Sequence, residues 1–158
     1  SATTLAPQIA APHSPANSGP VEAFDTVHVD QAYIGACVGA KLSDLRMVAE
    51  VLRNRTVARG TRLLVAPAST RAMTEAAADG TLATITAAGA YILPTGCGAC
   101  AALGAGVLAE NEVCISSTNR NFRGRMGANS AQVYLASPYT VAASAVAGRI
   151  ADPREFLT

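Results

Sequence analysis

The spacing of apolar and polar residues predicts alternating strands and helices along most of the chain. Alternation and short apolar runs predict four strands, at residues 27–34, 62–66, 90–93 and 112–116. Helical spacing and the capping residues Ser69 and Ser137 predict helices or helical turns at residues 42–53, 70–78, 81–88, 98–108 and 138–148. Prolines are too frequent in residues 1–25 for a regular helix or a central strand.

This order of elements predicts the fold class. Because strands alternate with helices, we expect a three-layer α/β domain with a mostly parallel sheet and helices on both faces. Residues 1–25 are predicted to be an extended, proline-rich arm or linker, and residues 26–158 a single domain. Parallel sheets of this kind bind ligands at the carboxyl ends of their strands, and the candidate residues below follow predicted strands.

Composition narrows the functional classes. The 158 residues are 50% hydrophobic and 15% charged, with a net charge of +1, so bulk charge favours neither a nucleic-acid nor a membrane partner. The sequence contains no apolar run of membrane-spanning length, and residues 1–11 do not resemble a signal peptide. We therefore expect a cytoplasmic protein whose four cysteines are reduced or bind a metal.

Three cysteines follow predicted strands in glycine-rich turns. Cys97 and Cys100 form a Cys-x-x-Cys turn, and Cys37 lies in a similar turn. Structural zinc sites and electron-transfer clusters usually have four protein ligands, whereas a 4Fe–4S cubane on three cysteines keeps one iron open as a Lewis acid. From spacing alone, the Cys-x-x-Cys turn could also be a redox pair, and Cys37 an inert buried thiol. Cys114 lies inside a predicted strand and is expected to be a core residue.

The loop at residues 118–125 concentrates three arginines and two asparagines in an otherwise apolar chain. Arginine binds carboxylates through paired hydrogen bonds, and asparagine both donates and accepts, so the loop would suit a di- or tricarboxylate. It could equally be a solvated basic loop or form salt bridges with another domain. His13 and His28 are expected to be structural or exposed, and we assign no catalytic residue within this chain.

Three motifs occur in an order that resembles a known family. They are Ile34-Gly35-Ala36-Cys37, Gly96-Cys97-Gly98-Ala99-Cys100 and SSTNRNFRGRMG at residues 116–127. Together they resemble the third, C-terminal domain of the aconitase superfamily, and in particular that of the 3-isopropylmalate dehydratase large subunit and homoaconitase-like proteins. The resemblance covers nearly the whole chain and includes Pro12-His13-Ser14-Pro15 and Tyr134-Leu135-Ala136-Ser137-Pro138.

The resemblance implies a cofactor, a reaction and a set of site residues. The implied ligands of a 4Fe–4S cluster with one open iron are Cys37, Cys97 and Cys100. The implied substrate-binding residues are Asn119, which is near the cluster in the family, and Arg120 and Arg125, which bind carboxylates. Such hydro-lyases, several of them in amino-acid biosynthesis, dehydrate and rehydrate a hydroxy di- or tricarboxylic acid, which moves its hydroxyl to the adjacent carbon.

The chain departs from the family pattern in two respects. The family usually has Thr-Asn-Gly-Arg after the first cysteine, where this chain has Val38-Gly39-Ala40-Lys41; this loss of polar groups favours a different substituted malate as the substrate. Full large subunits carry two further domains ahead of this one, and a swivelling domain or small subunit supplies the serine base. We therefore expect a fragment, an excised domain or a split subunit that is inactive alone. The alternatives are a non-catalytic iron–sulfur module and a cluster-free scaffold or regulatory module.

Overall fold

One mostly parallel sheet of seven strands organises the chain, of which the computed structural model describes residues 5–157. The strands are β1 (Gln8–Ala10), β2 (Ser18–Pro20), β3 (Gln31–Ile34), β4 (Arg62–Val65), β5 (Tyr91–Ile92), β6 (Val113–Ser116) and β7 (Gln132–Leu135). They lie side by side in the order β2-β1-β7-β6-β3-β4-β5, and the five strands from β7 to β5 are parallel. The predicted parallel α/β sheet is confirmed.

Four α-helices form one packed layer against this sheet. They are α1 (Leu42–Leu52), α2 (Thr70–Ala78), α3 (Thr81–Ala87) and α4 (Pro138–Ala147). Helix α1 contacts the other three, and α4 packs against β3 and β6. The side chains of Ser69 and Ser137 accept hydrogen bonds from the backbone N–H groups of Ala72 and Thr140, so both predicted N-caps are confirmed. No helix within residues 5–157 combines the length and apolarity needed to cross a membrane.

The two faces of the sheet bury different residues. Because side chains alternate along a strand, Ala32 and Ile34 pack with the helix layer, whereas Tyr33 between them belongs to the opposite face. We call these the helix face and the loop face. The loop face is covered by irregular segments and one 3-10 helical turn, Gly98–Ala101, which occupies only the start of the helix or helical turn predicted over 98–108. Gly104 and Gly106 have positive φ angles, which interrupt a helix there.

Residues 8–20, assigned from the sequence to an extended arm, form two short antiparallel strands joined by turns, and they lengthen the sheet at one edge. Strand β1 pairs antiparallel with both β2 and β7, and Ile9 at its centre is fully buried. Strand β7 is not predictable from the sequence, because Gln132–Leu135 is too short and too close to a polar loop to show alternation. The first predicted strand, 27–34, is shorter in the structure and begins at Gln31.

The strand order brings two loops to one point of the sheet. From β3 the chain moves outward to β4 and β5, then returns to the other side of β3 to form β6 and β7. In sheets wound in both directions, ligands bind at the carboxyl ends of the strands where the direction reverses. That point lies between β3 and β6, and the loops that begin there start at Gly35 and Ser117.

Candidate functional site

The turn after β3 carries Cys37 at the protein surface, with Val38 exposed beside it. Ser117, which directly follows β6, holds this turn against the sheet through two hydrogen bonds. Its hydroxyl oxygen accepts the backbone N–H of Gly35 at 3.2 Å and donates to the carbonyl oxygen of Gly39 at 2.9 Å. A Cβ atom at Gly39 would lie 2.1 Å from the Ser117 carbonyl oxygen, so only glycine permits this close approach.

The second cysteine turn follows β5. Cys97 is exposed and Cys100 is buried, and the backbone N–H of Cys100 donates to the carbonyl oxygen of Cys97 at 2.9 Å. Gly96 and Gly98 have φ angles of 136° and 45°, which glycine adopts without strain. The helix or helical turn predicted over 98–108 would begin beside these thiols; the observed 3-10 turn has four residues and so offers much less of a helix dipole.

The loop after β6 reaches the second cysteine turn through Arg125. The Nη2 atom of Arg125 lies 3.8 Å from Sγ of Cys100, and its guanidinium carbon lies 5.6 Å from the centre of the Phe122 ring. Its Nε atom is buried and has no hydrogen-bond partner among residues 5–157. The structure therefore places a positive charge, with a donor still unused, directly beside a cysteine sulfur.

The other polar residues of this loop divide into two groups. Asn119 and Arg120 are exposed at its start, close in sequence to Ser117, and Arg123 is exposed further along. Asn121 is buried, and its Nδ2 atom donates to the carbonyl oxygens of Ala11 at 2.7 Å and Val133 at 3.1 Å. Asn121 therefore joins the loop to β7 and to the residues after β1, which is a structural role.

Three sequence-based expectations about other residues are confirmed. Cys114 lies fully buried in β6, and this burial raises the pKa of its thiol, as expected of a core cysteine. His28 is largely exposed, with its Nε2 atom 3.2 Å from a carboxylate oxygen of Asp30. His13 is exposed in the turn between β1 and β2.

Tyr33 lies between the two cysteine turns and was not identified from the sequence. A Cβ atom at Gly35 would lie 2.6 Å from Cε1 of Tyr33, and one at Gly98 would lie 3.7 Å from its hydroxyl oxygen. Burial, followed by electrostatic repulsion from Cys100 in its thiolate form, raises the pKa of Tyr33 to about 12, so the phenol is neutral. The sequence did contain one signal, a tyrosine in a central apolar strand, because a buried hydroxyl needs a partner.

The donors of the two cysteine turns differ from those of a compact single-ion site. Within residues 5–157, no three His, Cys, Asp or Glu side chains are grouped closely enough to hold one metal ion. The chain offers unpaired cysteines on two turns, a guanidinium beside one of them, and a buried hydroxyl without a partner between the turns. These donors fit a thiolate-bound cluster.

Known proteins resemble this chain over almost its whole length. A family model described as the aconitase family (aconitate hydratase) matches residues 4–148. A homoaconitase large subunit from Thermus thermophilus is 51% identical over 154 residues, and 3-isopropylmalate dehydratase large subunits from Archaeoglobus fulgidus and Nitratiruptor sp. are 46% and 48% identical over 155 and 154 residues. These alignments cover 96–98% of this chain but 37% of each relative, so the chain spans little more than a third of their length.

Proposed function

Because the chain belongs to the aconitase family, we propose that it is the cluster-binding and substrate-binding part of a 4Fe–4S hydro-lyase. The proposed substrate is a substituted malate or a related hydroxy di- or tricarboxylic acid, in keeping with the dehydratase and homoaconitase names of its relatives. The observation that carries the proposal is the contact between Arg125 and Cys100, which joins a carboxylate-binding side chain to a cluster-binding one.

The proposed cluster ligands are Cys37, Cys97 and Cys100. Their turns follow β3 and β5, which flank β4, so all three belong to the carboxyl edge of the parallel sheet. When bound, a cluster on three cysteines supplies an iron with an open position, a Lewis acid for a substrate hydroxyl or carboxylate. Ser117 and Gly39 hold the Cys37 turn in place, so that its thiolate need not be ordered when the cluster assembles.

Asn119, Arg120 and Arg125 are the proposed substrate-binding residues. Arg125 is held beside Phe122 and Cys100, and its unpartnered Nε could complete a two-point hydrogen bond to a carboxylate. Arg120 and Asn119 are exposed near the end of β6, where a second carboxylate or the substrate hydroxyl would be bound. The proposed role of all three is to orient the acid with its hydroxyl toward the open iron position.

The remaining parts of the active site would come from elsewhere in the assembly. We assign no general base in this chain, and we propose that a swivelling domain or small subunit provides a base serine, with further domains completing the cavity. That the chain spans 37% of its relatives is in keeping with this division. Val38 is 43% exposed beside Cys37, at a position where the family usually has a threonine, and this loss of a polar group is the reason for proposing a substrate other than isopropylmalate.

Anaerobic reconstitution with iron and sulfide tests this proposal. We expect about four irons per chain, with one iron site perturbed in the Mössbauer spectrum by an added hydroxy acid. Cys97→Ser should lose iron without unfolding the protein, because this side chain is exposed. Cys114→Ala is the matched control and should retain iron, since this cysteine lies in the core. A protein that takes up no iron, or equal iron contents in both variants, would contradict the proposed ligands.

A non-catalytic iron–sulfur module is the second candidate. Val38 and Gly39 favour it, because they place no polar side chain beside Cys37. A cluster that assembles fully, yet shows no spectroscopic response to any hydroxy acid and no turnover in the complete assembly, would support this alternative. Turnover of a hydroxy acid in the complete assembly would exclude it.

A further inference from the structure

The hydroxyl of Tyr33 is a buried donor without an acceptor. Tyr33 is fully buried in the central strand β3, and its hydroxyl oxygen has no hydrogen-bond partner within residues 5–157. Leaving such a group unsatisfied costs about 1–3 kcal/mol. Phenylalanine would fill the same space without that penalty, so the unsatisfied hydroxyl points to a partner outside residues 5–157.

The surroundings of the hydroxyl indicate which kind of partner fits. The ring packs against Gly35, at the start of the Cys37 turn, and the hydroxyl oxygen lies close to Gly98 in the other cysteine turn. The ionisable groups that influence the phenol are all thiols, those of Cys97, Cys100 and Cys114. The hydroxyl therefore lies among cysteine sulfurs, which can accept hydrogen bonds.

We propose that the Tyr33 hydroxyl donates a hydrogen bond to a sulfur atom of the bound cluster, either a cysteine Sγ or an inorganic sulfide. This inference rests on the proposed function, because it requires a cluster at the two cysteine turns. Tyr33 is then a positioning residue that acts through the cluster and need not touch the substrate. Hydrogen bonds to cluster sulfurs raise the reduction potential and help to hold the cluster.

Tyr33→Phe tests the inference, because it removes one oxygen atom and leaves the ring. In the full protein with its other domains and subunits, reconstituted anaerobically, we expect a more negative reduction potential. We also expect about three- to tenfold faster loss of iron to a chelator, the effect of one lost hydrogen bond. Without the cluster, the variant should unfold at the same temperature as the wild type or higher, since an unsatisfied group has been removed.

Tyr134→Phe is the matched control on a neighbouring region of the same sheet. Tyr134 is a nearly buried tyrosine on β7, packed on the helix face with its ring centre 5.8 Å from that of Phe24. Tyr134 packs on the opposite face of the sheet from Tyr33 and Cys100, so this variant should keep the wild-type potential and rate of iron loss. An equal change in both tyrosine variants would mean a general loss of stability and would overturn the inference.

Resonance Raman spectroscopy distinguishes the two possible acceptors. Reconstitution with ³⁴S-sulfide identifies the bridging Fe–S modes, and the remaining modes belong to the cysteine ligands. Tyr33→Phe should shift the modes of one class, and that class identifies the acceptor. Unchanged modes, potential and iron loss in a fully loaded variant would overturn the inference and leave the proposed function standing. Failure of the wild type to bind a cluster would overturn both.

Discussion

The helix face and the loop face of the sheet differ in whether their buried polar groups have hydrogen-bond partners. On the helix face, buried polar groups have partners: Ser144, for example, accepts the backbone N–H of Ala151 at 3.0 Å. The three buried side-chain atoms without a partner in residues 5–157 lie on the loop face or in the loop after β6; they belong to Tyr33, Asn121 and Arg125. Two of these three residues adjoin Cys100.

This difference indicates where stability and where binding are located. The helix face packs aliphatic side chains from four helices against the sheet, which is the source of most hydrophobic stabilisation. The loop face contains cysteines, glycines at positive φ and unsatisfied donors, and the unsatisfied donors lower the stability of the cluster-free chain. A ligand that satisfies those donors would stabilise the loop face, so we expect the two faces to respond differently to mutation.

The largest expected effect on stability is on the helix face. Leu45 in α1 is fully buried, and Leu45→Ala should lower the free energy of unfolding by about 2–5 kcal/mol because it leaves a cavity. Chemical denaturation measures this change, and the iron bound per folded chain should stay the same. The volume-conserving control Leu45→Met should cost less than about 1.5 kcal/mol. Loss of iron from folded Leu45→Ala would show that the two faces are not independent.

Gly39→Ala should produce the next largest effect, at the boundary between the faces. The added Cβ would overlap the carbonyl oxygen of Ser117, and relieving this overlap should cost about 1–3 kcal/mol. Because the Cys37 turn must move, we also expect reduced iron content after reconstitution. In the control Gly19→Ala the new Cβ meets only the edge of Phe24, at 3.3 Å, and iron content should not change. Full iron loading of Gly39→Ala would show that this glycine is not needed to position the Cys37 turn.

Ser117→Ala should lower the free energy of unfolding by less than Gly39→Ala does, and it should also speed the loss of iron. It removes the hydroxyl that joins Gly35 to Gly39 and should cost about 1–2 kcal/mol. The Cys37 turn becomes less restrained, so a chelator should remove iron faster. Ser130→Ala is the matched control, because this exposed hydroxyl accepts the backbone N–H of Asn111 away from the cysteines. Identical rates of iron loss in the two variants would contradict the role of Ser117.

The smallest expected effect is a pH dependence at the start of α3. Hydrogen bonds from the Thr81 side chain and backbone, followed by one from Arg46, lower the pKa of Asp79 to about 2. Because the folded-state pKa is lowered, this stabilisation is complete above the ordinary value near 4 and is lost as the pH falls toward about 2. Asp79→Asn should therefore make the stability of the cluster-free protein less dependent on pH over that range. An unchanged pH profile in thermal unfolding would contradict this assignment.

Local patterns predicted the elements well where the signal lies within a few residues. Ser69 and Ser137 mark the starts of α2 and α4, since an N-cap requires only a short side chain before a helical run. The segment 98–108 was predicted as helical because its small apolar residues favour a helix. Only Gly98–Ala101 forms a 3-10 helical turn, because the interspersed glycines oppose a longer helix. Strand β7 was missed because it depends on pairing with β6 more than on its own pattern.

The sequence by itself determined the alternation of strands and helices, the cysteine spacing and the family motifs, since each depends on neighbouring residues. Only the tertiary structure decided which residues meet across the site. Ser117 binds Gly35 from 82 positions away, and Arg125 reaches Cys100 across 25. Tyr33 is an ordinary strand residue in the sequence, and only folding places its hydroxyl between two turns from distant parts of the chain. Such contacts depend on strand order and on the side of the sheet that each residue faces, which local spacing does not specify.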